Sequence, residues 1–300
     1  VRNPWGLKWN TGGSSAGAGA SIASGIGMMS VGTDIAGSVR LPACHCGLAA
    51  LKPTQGVVPH TPASHERSAG PITRHAADLH AWTTLLGGPD PDDRYSFPYL
   101  WSKLDRPLKI GVSTDFGFGP AVEKPVLDCV DTAREALASL GHDLIQIDKT
   151  AGFDAYKPID ESLKIRGWLE YRSLAPEFRD NTPQQLVDWF QEAETWTPDI
   201  VKDINDGIER CVAFCNDLLE GVDVLLTPVM PIVNFPAEDR GIDPAMPLRH
   251  STFTAPFNQS GQPAVSLCGG FDDRGLPIGV QLVARRLEDS LLLQLATALE

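Results

Sequence analysis

The sequence has no run of eighteen or more apolar residues, which disfavours a membrane span. Basic residues are in deficit: the formal net charge is −13, the opposite of what a nucleic-acid groove requires. No Cys-x-x-Cys pair occurs among Cys44, Cys46, Cys129, Cys211, Cys215 and Cys268, and Cys44 and Cys46 are too close together to form a zinc knuckle alone. Free, mostly buried thiols in a reducing, cytoplasmic setting are the expectation. Neither the G-K-[ST] ending of a P-loop nor the G-x-G-x-x-G spacing of a dinucleotide site is present. Repeats and low-complexity linkers are absent too. No secretory signal is visible at Val1, but the chain opens without methionine. An N-terminal segment is therefore expected to be missing, and targeting stays open.

What is present suffices for a large core: 300 residues, of which 42% are hydrophobic. Residues 11–60 are rich in Gly, Ala and Ser. Gly13 to Gly27 reads as a small-residue helix after a Gly-rich turn, and Met28 to Val31 as a short buried strand. Gly32 to Gly37 reads as a tight loop, Ser38 to Cys46 as a short helix, and Leu51 as the start of a strand stopped by Pro53. Further on, Lys109 to Val112 and Leu144 to Ile147 read as strands. Between them Val126, Val130, Ala133 and Leu137 recur at helical spacing over Pro125 to Leu140, with Gly141 as a stop. Residues 155–220 read as a helical, aromatic-rich region on the substrate side. Val222 to Pro228, Ala264 to Leu267 and Ile278 to Val283 read as strands, the last two separated by a turn at Gly269-Gly270. Leu287 to Glu300 closes as a helix. The expected architecture is α/β, with helices layered on a sheet in a single domain over 1–300.

Two serine-bearing glycine loops dominate: Gly12-Gly13-Ser14-Ser15-Ala16-Gly17 and Gly32-Thr33-Asp34-Ile35-Ala36-Gly37-Ser38-Val39-Arg40. A small-residue loop running into a helix leaves backbone N–H groups unpaired and suited to an anion. In acyl transfer that anion is the oxygen of the tetrahedral intermediate, and prearranged donors contribute roughly 3–4 kcal/mol each. A serine ending such a loop is placed to be a nucleophile, but it needs a base. None of the seven histidines (positions 45, 60, 65, 75, 80, 142 and 250) sits in a triad motif. His45, the nearest to Ser38, lies between two cysteines and reads as packing. A serine–lysine arrangement stays open. Plainer readings compete. Ser14 and Ser38 could be helix caps. Asp34 and Arg40 could be a purely structural pair. Gly13 to Gly17 also fits the G-x-S-x-G elbow, which would make Ser15 the nucleophile but needs a strand before it.

Taken together, the two serine blocks resemble the signature of the amidase signature family. The resemblance continues through Leu41-Pro42-Ala43, Cys46-Gly47, Leu51-Lys52-Pro53-Thr54 and Gly70-Pro71-Ile72-Thr73-Arg74. It returns in Phe253-Thr254-Ala255-Pro256-Phe257-Asn258 and in Gly275 to Gln281. It implies a three-layer α/β/α fold with a central mixed sheet and an amidase cleaving C–N bonds through an acyl-enzyme. Ser38 would be the nucleophile and Ser14 the bridging serine, its peptide cis. The N–H groups of Ile35, Ala36, Gly37 and Ser38 would form the oxyanion hole, with Asp34, Arg40 and Ser15 as loop support. The usual Gly-Gly-Ser is Ala36-Gly37-Ser38 here.

The triad's third member, a lysine, lies in the family well upstream of the bridging serine. Lys8 is too near Ser14, and Lys52 belongs to a structural block, so no catalytic lysine is assigned. No metal or organic cofactor is implied. The expected partner is a small-molecule amide, with a homodimer left open. The aromatics Trp168, Tyr171, Phe178, Trp189, Phe190 and Trp196 are candidates to line a substrate channel. Alternatives are a relative or fragment lacking the lysine base, or the amidase subunit of a tRNA-dependent amidotransferase, which would need protein partners.

Overall fold

A computed structural model describes residues 1–300. Eight strands form one mixed sheet: β1 (Met29–Asp34), β2 (Ala49–Lys52), β3 (Ser68–Thr73), β4 (Lys109–Val112), β5 (Asp143–Gln146), β6 (Val224–Pro228), β7 (Ala264–Phe271) and β8 (Pro277–Ala284). Their order across the sheet is β1-β3-β2-β7-β8-β6-β4-β5. The β6–β4 and β4–β5 pairs are parallel and the rest antiparallel. The helices are α1 (Ala16–Ala23), α2 (Arg40–Cys46), α3 (Ala76–Leu86), α4 (Lys124–Ser139), α5 (Lys157–Ser173), α6 (Pro176–Arg179), α7 (Gln184–Phe190), α8 (Pro198–Leu218), α9 (Pro256–Gln259) and α10 (Asp289–Leu299). No helix is long and apolar enough to cross a membrane.

Strand side chains alternate between the two faces, and each face gathers its own core. Leu51, Val265, Leu282, Val224 and Leu226 pack with α3, α4 and α10. Ala264, Val283 and Leu225 pack with Phe214, Leu218 and Phe257 of α8 and α9, and with Ile159 of α5. A smaller cluster of Ile22, Val39, Ala43 and Ile72 seats α1 and α2. Helix α4 makes the crossover between parallel strands β4 and β5, burying Val126, Val130, Ala133 and Leu137 as their spacing predicts.

Two expectations change. The strand expected over 28–31 is β1, an edge strand that runs on to Asp34 and leaves Val31 48% exposed. It pairs only with β3, so one flank lacks a neighbour. Gly269 and Gly270 are not a turn but lie inside β7, where a bulge between Cys268 and Gly270 absorbs them. The turn into β8 comes later, where Asp272 Oδ1 accepts the N–H groups of Arg274 and Leu276 at 2.9 Å each. Five of the six cysteines are buried and all are free.

Candidate active site

The second glycine loop joins β1 to α2, and its shape is set by one carboxylate. Asp34 is fully buried. Its Oδ1 accepts Gly37 N–H at 2.7 Å and its Oδ2 accepts Val39 N–H at 3.1 Å. The Arg40 guanidinium grips the same carboxylate through Nε at 3.0 Å and Nη2 at 2.9 Å. Arg40 is also fully buried, and its remaining donors reach Gln281 Oε1 at 2.8 Å and Asn258 Oδ1 at 2.7 Å. Burial pushes the Asp34 carboxyl up, but the charge and hydrogen bonds of Arg40 outweigh it and hold the pKa at about 2. Thr254 Oγ1 donates to Ala36 O at 2.7 Å, and Ser15 N–H to Ser38 O at 3.3 Å. Ser15 Oγ also accepts Thr33 N–H at 3.2 Å, tying the first loop to β1.

This bracing narrows the expected oxyanion donors. Gly37 N–H is engaged by Asp34, whereas the N–H groups of Ile35, Ala36 and Ser38 have no acceptor in the protein. Beside them opens a cavity of about 300 Å³ lined by Ser14 and Ser38 together with Asn10, Ile35, Ala36 and Leu41. The Gly13–Ser14 peptide is cis. Both serines reach the one cavity, but no hydrogen bond links their hydroxyls, and neither hydroxyl is bonded to any protein group. Neither serine caps a helix: the residues before α1 and α2 are Ser15 and Val39. Ser15 is not among the cavity residues, and no strand precedes it, so the elbow arrangement is not formed.

No lysine lines the cavity. Lys8 sits over the Trp9 ring, 5.2 Å from its centroid. Lys52 is buried, with Nζ donating to Pro53 O at 3.0 Å. His45 is buried behind the cavity wall and does not line the cavity, its Nδ1 3.0 Å from Asn10 O and its Nε2 3.2 Å from Met230 Sδ. Burial drives its pKa down to about 3, so it is a neutral packing residue.

The remaining cavity wall comes from residues with no sequence signal. Phe235, Arg240, Leu248, His250 and Ser251 belong to the segment after β6. That segment is brought in by Asn10, whose N–H donates to Phe235 O at 3.0 Å. None of the six aromatics expected to line a channel is there. Trp168 and Tyr171 stack on each other at 5.8 Å, Phe190 is buried, and Phe178 is 61% exposed. The aromatic at the cavity is Phe235. His250 is buried, its Nδ1 has no hydrogen-bond partner, and burial lowers its pKa to about 4. No carboxylate orients it, so it does not form a serine–histidine triad with Ser38.

The Amidase family model matches residues 1–293. The chain belongs to the amidase signature family. It is 32% identical to a subunit of the glutamyl-tRNA(Gln) amidotransferase of Prochlorococcus marinus (strain MIT 9313), over 98% of this chain and 68% of that protein. It is 33% identical to the 6-aminohexanoate-cyclic-dimer hydrolase of Pseudomonas sp. (strain NK87), over 100% of this chain and 68% of that one. A solved 6-aminohexanoate cyclic dimer hydrolase superposes with a TM-score of 0.89 at 28% identity, covering 100% of this chain and 69% of the other. The α/β amidase signature fold expected from the two serine loops is therefore the fold of this chain.

Proposed function

We propose that the chain hydrolyses a carboxamide C–N bond through an acyl-enzyme on Ser38. Ser38 Oγ attacks the carbonyl carbon, and its proton passes to Ser14 Oγ and on to a base. The oxyanion is held by the N–H groups of Ile35, Ala36 and Ser38. The proton returns to the leaving nitrogen as the C–N bond breaks, and water then releases the acid. What carries this reading is that an unbonded serine hydroxyl and three unbonded N–H groups of one loop stand beside one cavity. Each donor so placed is worth roughly 3–4 kcal/mol to an acyl-transfer transition state. The third N–H group in the run, that of Gly37, serves the loop rather than the oxyanion. The lysine base that the resemblance implies is not among the cavity residues.

Labelling with a fluorophosphonate followed by peptide mapping tests this. The expected product carries the label on Ser38, and Ser38→Ala removes both label and amide turnover. A label on Ser15, or none, overturns the reading. A second reading rests on the 32% identity to one component of an amidotransferase: an amidase that works with protein partners. It predicts amide hydrolysis that rises on adding those partners, whereas a free-standing amidase reaches full activity alone.

A further inference from the structure

Arg240 carries the only formal charge among the twelve residues lining the Ser14–Ser38 cavity. Its guanidinium is exposed, and it forms neither an ion pair nor a hydrogen bond with the protein. Three acids stand near it in sequence, Glu238, Asp239 and Asp243, and none of them pairs with it. Glu238 pairs with Arg2 and Asp243 Oδ1 accepts Ala245 N–H at 2.9 Å, while neither Asp239 nor Asp243 forms an ion pair. Much of the rest of the wall is apolar: Ile35, Leu41, Phe235 and Leu248. His250 adds an imidazole that is buried and neutral at pH 7.

The placement of Arg240 is built in. A Cβ on its neighbour Gly241 would collide with Pro247 O and stand 3.0 Å from His250 Nδ1. Glycine there lets the segment carrying Arg240 lie directly against the turn carrying His250.

We infer that the cavity takes an amide bearing a carboxylate, which Arg240 selects by pairing with it; this rests on the reading of the cavity as an amidase site. An apolar cavity with one unpaired guanidinium favours an acyl or amine chain that is mostly hydrocarbon and ends in an anion. An ammonium group would meet a like charge and, on the cavity wall, no carboxylate. Because Arg240 is exposed, the pairing is modest and screened by salt.

The test uses the full-length protein and two matched series of amides. In one, 4-nitroanilides carry acyl chains of equal length ending in carboxylate, methyl or ammonium. In the other, the same three groups end the amine side. The expected kcat/KM favours carboxylate over methyl by roughly fivefold in one series, as exposed charge pairs allow. That ratio shrinks toward one at high salt and in Arg240→Gln, and Arg240→Glu inverts it toward the ammonium compound. No carboxylate preference in either series, or a preference that survives Arg240→Gln, overturns the inference. Calorimetric binding of the same amides separates this from the hydrolysis reading. If nothing is turned over, a carboxylate preference in binding that Arg240→Gln removes still supports the selection, and equal binding refutes it.

Discussion

Asp34 illustrates what a single buried carboxylate can organise. It satisfies backbone N–H groups of the loop on one side and the Arg40 fork on the other. Neither partner is exposed, so salt does little to the pair. Removing one partner leaves the other charge buried and uncompensated. Arg40→Ala should therefore cost about 3–5 kcal/mol, read by urea unfolding. Arg40→Lys should recover only part of that, because an ammonium cannot reproduce the planar contacts to Asp34, Gln281 and Asn258. The pH dependence has a definite sign. The folded carboxyl titrates at about 2, below its ordinary value of 3.8. Its contribution is present above pH 3.8 and is lost as pH falls toward 2. Without Arg40 burial is no longer outweighed and the folded carboxyl moves up, so this loss between pH 3.8 and 2 should shrink or disappear. An Arg40→Ala variant as stable as the parent would show that the pair is not what holds the loop.

The loop between β1 and α2 acts as one element, and glycine is required at its turn. Gly37 has φ of +121°, a region closed to most side chains, and a Cβ there would collide with Thr254 Oγ1. Gly37→Ala should displace the Ile35 to Ser38 backbone and slow fluorophosphonate labelling of Ser38 by about 100-fold, as loss of an oxyanion donor does. Far-UV circular dichroism should stay unchanged, since the strain is confined to one turn; an unchanged labelling rate would remove the loop from the chemistry. Both serine loops were legible in the sequence because their signals are local: small residues, a helix following, fixed spacing. The same holds for β4, α4 and β5, where a 3.6-residue period falls between two apolar runs. Strand β3 and helix α3 were not legible. Ser68 to Thr73 is buried at every position, so it shows no alternation, and Gly70-Pro71 reads as a break. Only its pairing with both β1 and β2 makes it a strand. Phe235, Arg240 and His250 were hidden for a related reason: their segment has no periodicity and reaches the cavity through contacts with Asn10, far away in the chain.

Across the whole molecule, buried polar groups from both ends of the chain meet near the middle of the sheet. Asp34 and Arg40 are joined there by Asn258 and Gln281, and Thr54 hydrogen-bonds Asp289 through its N–H at 2.7 Å. Lys52 lies among them at the β2–β7 pairing, fully buried, with one hydrogen bond to Pro53 O. Burial and the charge of Arg40 lower its pKa to about 7, while Asp34 and Asp289 pull the other way and Arg286 adds to the lowering. Between pH 7 and 10.5 the unfolded chain then binds a proton at this side chain that the folded chain does not. Stability must rise with pH in that window and be flat below it as far as Lys52 is concerned. Comparison with Lys52→Met isolates the effect, because the buried Cys44 and Cys46 thiols, both pushed up to about 12, contribute equally to parent and variant. From about pH 7 to pH 9 the parent should gain about 2–3 kcal/mol on the variant in urea unfolding, near ~1.4 kcal/mol for each unit of pH. A flat difference would mean that Lys52 stays charged in the fold. Asp34 and Asp289 would then hold a buried ammonium in place, and the centre of the sheet would be an ion network instead of a neutral amine beside one.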